Sequence, residues 1–557
     1  MADGYKLDAD GFKRLKRRVE EAWVIKRHWL PIMEQVYRYV LPYRDSLTRP
    51  ETGGSNSQTP GQSRVDHVFD ATAPTAALRF AGRIQQDVTP TDTPFFKLEA
   101  GPLIPRDERK ALNEQLGVIS DIAHGVLSTG TFHTSAHESY VDLFGGTSNL
   151  LAQEGDNRDL LRWVAVPDRE VALEAGPYGD VWGRHWKRLW CAELVKEMWP
   201  DGDLSETLKK KIADHPYEEI EICQATRYNR AADRHELTVW WTGDKAEAGP
   251  IHAETFRVSP WVSTRFFKIP GEVYGRGPAM LALPFIKTTN KARELALKAA
   301  AFAVLGLWMA RNDGVFNPDN ARMTPGGIWT VRSTGGPMGA SIQRLPVPEN
   351  FDISSIVVEE ERQQMKRALF DDTLPPEAAA VRSATEIMER VKYLNQDLAG
   401  IQSRLVLEQV RPVVTIAIDR LERKGLLPTN ITIDQLLTKI SITSPVSASN
   451  RADQAKRLVD WATIVLQFGG QQGLMIAARL EKMLPDIGRM LGVEEQYVRS
   501  KEEGAQMQKM FGQLMAAQAA ADAGALPQQQ QAGNGAAPAG AAAGAAGGDQ
   551  PWMNGGF

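Results

Sequence analysis

The sequence predicts a helix-rich chain of mixed α+β class, and three features carry that expectation. Apolar residues recur at intervals of three and four over long stretches near both ends of the chain, the period of an amphipathic helix. Between Trp163 and Phe267 the texture changes to short runs of β-branched and aromatic residues, separated by turn clusters such as AGPYGD and TGDKAEAGP, which is the pattern of strands. The composition is globular: 557 residues and 61.6 kDa, with 43% hydrophobic and 24% charged side chains, enough for a large core or several domains.

From the N-terminus, Phe12, Leu15, Val19 and Trp23, then Leu30, Met33, Tyr37 and Val40, keep the helical interval. Pro31 is expected to divide them into two helices, since proline is tolerated in a first turn and not in a helix interior. Thr48 to Ser63 is polar and rich in Gly and Pro, so it reads as a loop. Helical patterning resumes over Thr75 to Gln86 and Asp107 to Ser128, and the strand-rich region follows. Leu281 to Trp308 is predicted helical, Asn312 to Phe351 breaks into loops and short strands at NPDN, TPGG and STGGP, and helix returns over Ile353 to Phe370. Asp371 to Thr385 reads as a loop, because Pro375 and Pro376 cannot continue a helix and hold the preceding residue extended. A long helix then carries Ile387, Val391, Leu394, Leu398, Ile401 and Leu405 in alternating steps of four and three, a heptad-like packing stripe that Pro412 kinks or ends. Met507, Met510, Phe511, Leu514 and Met515 mark one more amphipathic helix. From Ala516 to Phe557 the chain is mostly Ala, Gly, Gln and Pro. That composition buries too little side chain to offset its ordering entropy, so a flexible tail is predicted.

Lys and Arg total 65 against 69 Asp and Glu, a net charge of −4. A protein gripping phosphates over a wide face would carry a basic excess, so any contact with nucleic acid is expected to be local or loose. Two cysteines, Cys191 and Cys223, leave little room for a disulfide framework, fit a reducing compartment and are expected to be buried thiols, though neither sequence nor spacing says whether they meet. No apolar stretch follows the charged start MADGYKLDADGFKRLKRR, so no secretory signal is expected. The longest apolar run, Ala299 to Ala310, is well short of the ~20 residues that cross a bilayer, and no membrane role is expected.

Complete catalytic motifs are lacking in the sequence. No Walker loop occurs, and YGRGPAM at Tyr274 to Met280 has two glycines of a dinucleotide fingerprint but Met280 in place of the third, while Pro278 removes a donor. His133 and His137, with His124 nearby, lack the glutamate that a zinc-protease helix places after its first histidine. No catalytic residue, cofactor or metal is therefore expected, and the chain reads as a non-enzyme. The alternative class is a metal-dependent nuclease built on Asp371 and Asp372, which lack a third carboxylate at a telling distance. Charge patterning is more informative. Lys287, Lys291, Glu294 and Lys298 follow steps of four, three and four along one helix face, whereas the next helix begins acidic at Glu359, Glu360 and Glu361.

Several segments resemble the portal proteins, or head-to-tail connectors, of short-tailed, podovirus-type bacteriophages. They are WLPIMEQVYRYVLPYR, DLFGGTSNLLAQEGDNRDLLRWVAVPDREVALEAGPYGDV, SPWVSTRFFKIPGEVYGRGPAMLALPFIKTTNKARELALKAA and RSATEIMER. The third is the most specific, joining a P-x-x-x-x-R-x-x-K segment to YGRGPA and a long helix. The resemblance implies a portal-type subunit with an α/β wing over residues 1–280, helical first and then β-rich. It implies a first stem helix at 281–310, a small α/β clip at 311–351 and a second stem helix at 352–370. A tunnel loop at 371–384 would include Thr373, Leu374, Pro375, Pro376, Glu377 and Arg382. A long helix at 385–425 would lead toward the crown, with crown and barrel helices at 426–515 and a disordered tail at 516–557. It also implies a ring of twelve at one capsid vertex, formed in the host cytoplasm, through which double-stranded DNA passes weakly held. Implied partners are the terminase large subunit, tail adaptor proteins, and the major capsid and scaffolding proteins. The lysines of the first stem helix would then form sparse basic rings or pair with Glu359 to Glu361 of a neighbour.

Overall fold

The computed structural model describes residues 7–44, 64–101, 104–105, 109–155, 159–244, 248–305, 307–310, 342–345, 351–371, 400–427, 438–442 and 455–468, together with 470, 477, 483–484, 487–488 and 510. The chain forms two compact units, Met1–Asn450 and Arg451–Phe557.

Helix α1 (Ala9–Tyr39) begins at Asp8, whose carboxylate accepts the Gly11 N–H at 3.1 Å and satisfies a donor that the first turn leaves unpaired. It runs through Pro31 unbroken, where two helices were expected. An interior proline costs about 3 kcal/mol. One face of α1 is buried on both sides of it, through Val19, Trp23, Leu30, Met33 and Tyr37, and each such side chain contributes about 1.5–3 kcal/mol. Burial outweighs the lost hydrogen bond.

Helices α2 (Thr72–Val88), α3 (Arg109–Thr129) and α4 (Phe132–Leu143) follow, with strand β1 (Phe96–Ala100) between the first two. Side chains of α3 accept the N–H groups on one edge of the β1 segment: His124 Nε2 takes Phe95 at 2.9 Å, Ser120 Oγ takes Leu98 at 2.9 Å and Asn113 Oδ1 takes Ala100 at 2.7 Å. The helix thus stands in for a neighbouring strand.

The strand-rich region starts earlier than its composition suggests, at β2 (Thr147–Glu154), and continues with β3 (Leu161–Val166), β4 (Val171–Ala175) and β5 (Val181–Cys191). Six consecutive residues of β2 are buried, so polar and apolar positions do not alternate and the strand has no period to read. Helices α5 (Ala192–Met198) and α6 (Glu206–Asp214) intervene before β6 (Glu219–Asn229), β7 (Arg234–Trp241), β8 (His252–Phe256) and β9 (Trp261–Arg265). Strands β4 to β8 make a five-stranded antiparallel meander, and β2 lies between β3 and β9 in a separate three-stranded sheet. Cys223 is buried in β6, while Cys191 is half-exposed and not the buried thiol expected.

Helix α7 (Pro278–Leu305) ends before the expected Trp308. Leu307–Ala310 leaves it as strand β10, antiparallel to β11 (Ile342–Leu345). Helix α8 (Phe351–Ala368) returns alongside α7. Residues 400–405 are helical, Val406–Val410 form a wider π turn, and α9 (Arg411–Arg423) continues the helix with Pro412 in its first turn. The π turn absorbs the hydrogen bond that Pro412 cannot donate. Strand β12 (Thr438–Ile442) pairs with β1, Ile440 facing Leu98.

The main core brings α2, α4, β9 and the base of α7 together through Phe80, Phe144 and Phe266, with ring centroids 5.0 and 5.5 Å from Phe80. In the second unit residues 455–468 form a helix that leaves Trp461, Ile464 and Phe468 exposed. Met510 is helical and exposed, and the other residues of the methionine-rich pattern lie outside the described residues.

Candidate functional site

The segment from β9 to the start of α7 holds a cluster of buried polar contacts. Arg265 is 5% exposed. Its Nε and Nη2 donate to the two carboxylate oxygens of Glu408 at 3.1 and 2.7 Å, and its Nη1 donates to the carbonyls of Gly179 and Val273 at 3.0 and 3.3 Å. A buried arginine needs such a bidentate partner to offset its desolvation. Lys268, three residues on, donates to the same Gly179 carbonyl at 2.5 Å. The arginine and lysine of the P-x-x-x-x-R-x-x-K segment therefore meet on one backbone oxygen.

Tyr274 accounts for the next motif. Its hydroxyl accepts the Leu173 N–H at 3.0 Å, and burial, then the charge of Asp168, push the phenol well above its ordinary value. Lys26 lies over the Tyr274 ring at 4.4 Å and donates to Asp168 at 2.8 Å, fully buried. Asp168 also accepts from Asn149, which accepts from Ser263. One polar chain thus ties α1, β2 and β9. The glycines of YGRGPA sit against those of FGGTS: a Cβ on Gly275 would lie 2.4 Å from the Gly146 carbonyl oxygen, and one on Gly277 would lie 2.2 Å from that of Phe144. Gly146, at φ +132°, is itself in a conformation that favours glycine.

Both long helices beyond this joint are fixed to the start of α2. Asn290 of α7 accepts the Phe69 and Asp70 N–H groups at 2.7 and 3.2 Å, and Arg362 of α8 donates twice to Asp70, at 2.9 and 2.7 Å. Farther along α7 the lysines are exposed. Lys291 and Lys298 both donate to Glu294, at 2.9 and 2.5 Å, and Lys287 donates to Gln35. Hydrogen bonds from Lys298 and Lys291 hold the Glu294 carboxyl below its usual range. The face read as mostly basic is therefore partly neutralised within its own helix. Glu359 pairs with Arg362 at 3.5 Å, and among the described residues neither Glu359, Glu360 nor Glu361 meets an α7 lysine of the same chain.

The arrangement is mechanical: an α7–β10–β11–α8 excursion bolted at its base by a glycine contact and buried ion pairs. A model of the family described as bacteriophage head to tail connecting protein matches residues 12–498. The chain belongs to this family. No curated protein matches it. Joining a phage head to its tail is a structural task and places the connector in the virion.

Of the remaining candidates, His124 lies on α3, and His133 and His137 lie on α4. His124 accepts the Phe95 N–H, and His137 Nδ1 lies 2.8 Å from Gln85 Oε1. Burial lowers the His133 pKa. No cluster able to hold a metal occurs among the described residues, nor does any helix there have the length and apolarity to cross a membrane. Asp371 is buried and paired with Arg79 at 3.4 Å, while Asp372 lies outside the described residues. So do Thr373, Leu374, Pro375, Pro376, Glu377 and Arg382, and Ile387, Val391, Leu394 and Leu398 of the packing stripe. Of that stripe, Leu405 is buried and Ile401 packs against the core.

Sequence reading missed Arg265–Glu408 and Lys26–Asp168. For Lys26 a signal existed: it occupies the buried stripe of α1 between Trp23 and Leu30. No local signal marks Glu408, which reaches Arg265 across 143 positions.

Proposed function

We propose that the connector is a portal subunit, assembling as a ring of twelve whose bore conducts double-stranded DNA during packaging and ejection. The observation that carries the reading is the α7–β10–β11–α8 excursion. It supplies two long packed helices closed by a strand pair, as the stem and clip of such a ring require, and the family match includes it. Leu295 and Leu297 are more than half exposed on α7. In a ring with closed cyclic symmetry a neighbouring subunit would cover such side chains in every copy alike. The Lys291–Glu294–Lys298 cluster suits a conduit. Each free cation on the bore would add phosphate affinity and brake sliding DNA, and Glu294 cancels part of it. On this reading the terminase motor and later the tail adaptors dock at the clip end, and capsid and scaffolding proteins meet the wing. Residues 371–384 would form the tunnel loop and 385–425 lead toward the crown.

Light scattering on purified protein tests the ring. Twelve 61.6-kDa chains give a particle of about 740 kDa with a central hole in negative stain. A folded monomer at every salt concentration would overturn the proposal.

A further inference from the structure

Three charged segments meet near the Gly179 carbonyl, and their charges do not cancel. Among the described residues, Arg184, Arg265, Lys268 and Arg404 interact there with the carboxylates of Asp180 and Glu408. Glu408 is already committed to Arg265 at 2.7 Å, with Arg404 at 3.5 Å, and Asp180 accepts the Trp182 indole N–H at 2.6 Å. Burial and then the charge of Arg265 push Arg184 down to about 10, and burial followed by Arg265 and Arg404 lowers Lys268 as well. Cations crowded in this way favour an incoming anion.

Large apolar side chains stand exposed on the same segments. Tyr178, beside Gly179, is 86% exposed, Phe267, beside Lys268, is 51% exposed, and Leu407, beside Glu408, is 57% exposed. Exposed aromatic side chains such as Tyr178 and Phe267 are enriched in protein-binding surfaces.

We propose that this patch is a docking surface for an acidic segment of a partner protein, with apolar side chains seated on Tyr178, Phe267 and Leu407 and carboxylates facing Lys268 and Arg404. Charge complementarity sets the partner's sign, and the three apolar residues favour a protein over a nucleic acid. The proposal does not depend on the ring.

Fluorescence anisotropy on the full chain tests it. The probe is a short labelled peptide alternating Glu with Leu and Phe; a Lys counterpart and a short DNA duplex serve as counter-probes. The acidic peptide is expected to bind, more weakly as salt rises, and to lose about tenfold in affinity on Lys268→Glu. Tyr178→Ala removes a solvent-exposed side chain without touching the fold, and it is expected to weaken binding severalfold. Absence of binding, or binding indifferent to both substitutions, overturns the proposal. Tighter binding of the duplex that Lys268→Glu abolishes would also overturn it, by making the patch a phosphate site.

Discussion

Gly277→Ala tests whether the two glycine motifs are in backbone contact. The new methyl would stand 2.2 Å from the Phe144 carbonyl oxygen and 2.5 Å from the Gly146 nitrogen. Carbon and oxygen normally keep about 3.3–3.6 Å even in their closest favourable contacts, so the two backbones must part by about 1 Å. Forcing a methyl into a packed site costs about 1–3 kcal/mol. The same displacement stretches the Ala279 N–H bond to the Phe144 carbonyl, now 3.2 Å, and leaving a buried backbone donor unpaired costs about 1–3 kcal/mol more. The expected loss is therefore about 2–6 kcal/mol, a large share of the ~5–15 kcal/mol that holds a native protein together. Urea unfolding measures it, with Gly82→Ala as the control. Gly82 is in α2, exposed, with nothing within 4 Å of its added Cβ. There alanine is expected to stabilise by about 0.5–1 kcal/mol, through the smaller entropy of the unfolded chain. A Gly277→Ala protein within about 0.5 kcal/mol of the parent would refute the contact, since surface-like sites respond on that scale.

Two further outcomes are expected. Glu408→Gln leaves the Arg265 guanidinium buried without its counter-charge, and denaturant unfolding should show a loss of about 3–5 kcal/mol; a change below about 1 kcal/mol would mean that water reaches the pair. His124 must stay unprotonated at Nε2 to accept the Phe95 N–H, and burial, then His133, lower its pKa from 6.5. The stability it contributes is present above 6.5, the value in the unfolded chain, and is lost as pH falls through the lower folded value. Protection factors of the Phe95 to Ala100 amides, taken relative to the intrinsic exchange rate at each pH, should fall between neutral and mildly acidic pH, and His124→Asn should flatten that dependence; an equal fall in the variant would assign the effect elsewhere.

Much of the fold was legible where one face of an element is buried and the other wet. Helices α2, α3, α7 and α8 lie within a few residues of their expected bounds, because a half-buried helix writes its period into the sequence. Elements wet on neither face, or stabilised by distant partners, were not legible. Strand β2 is buried on both faces and shows no alternation, and α1 passes through Pro31 because contacts far along the chain hold both halves. Half of the candidate joint could be read. YGRGPA and P-x-x-x-x-R-x-x-K stood out as motifs, yet nothing local says that Gly277 touches Phe144 or that Arg265 meets Glu408.

The sequence by itself determined the α+β class, the order of most elements and, through motifs along the chain, the connector family. Those are properties of local periodicity and residue identity, and both survive without knowledge of what lies nearby in space. Tertiary structure alone decided where charge is spent. Glu294 draws in two lysines of its own helix, Glu408 crosses 143 positions to neutralise Arg265, and Lys268 with Arg404 is left in electropositive surroundings. A charge acts through distance and dielectric, and only the folded chain sets either one.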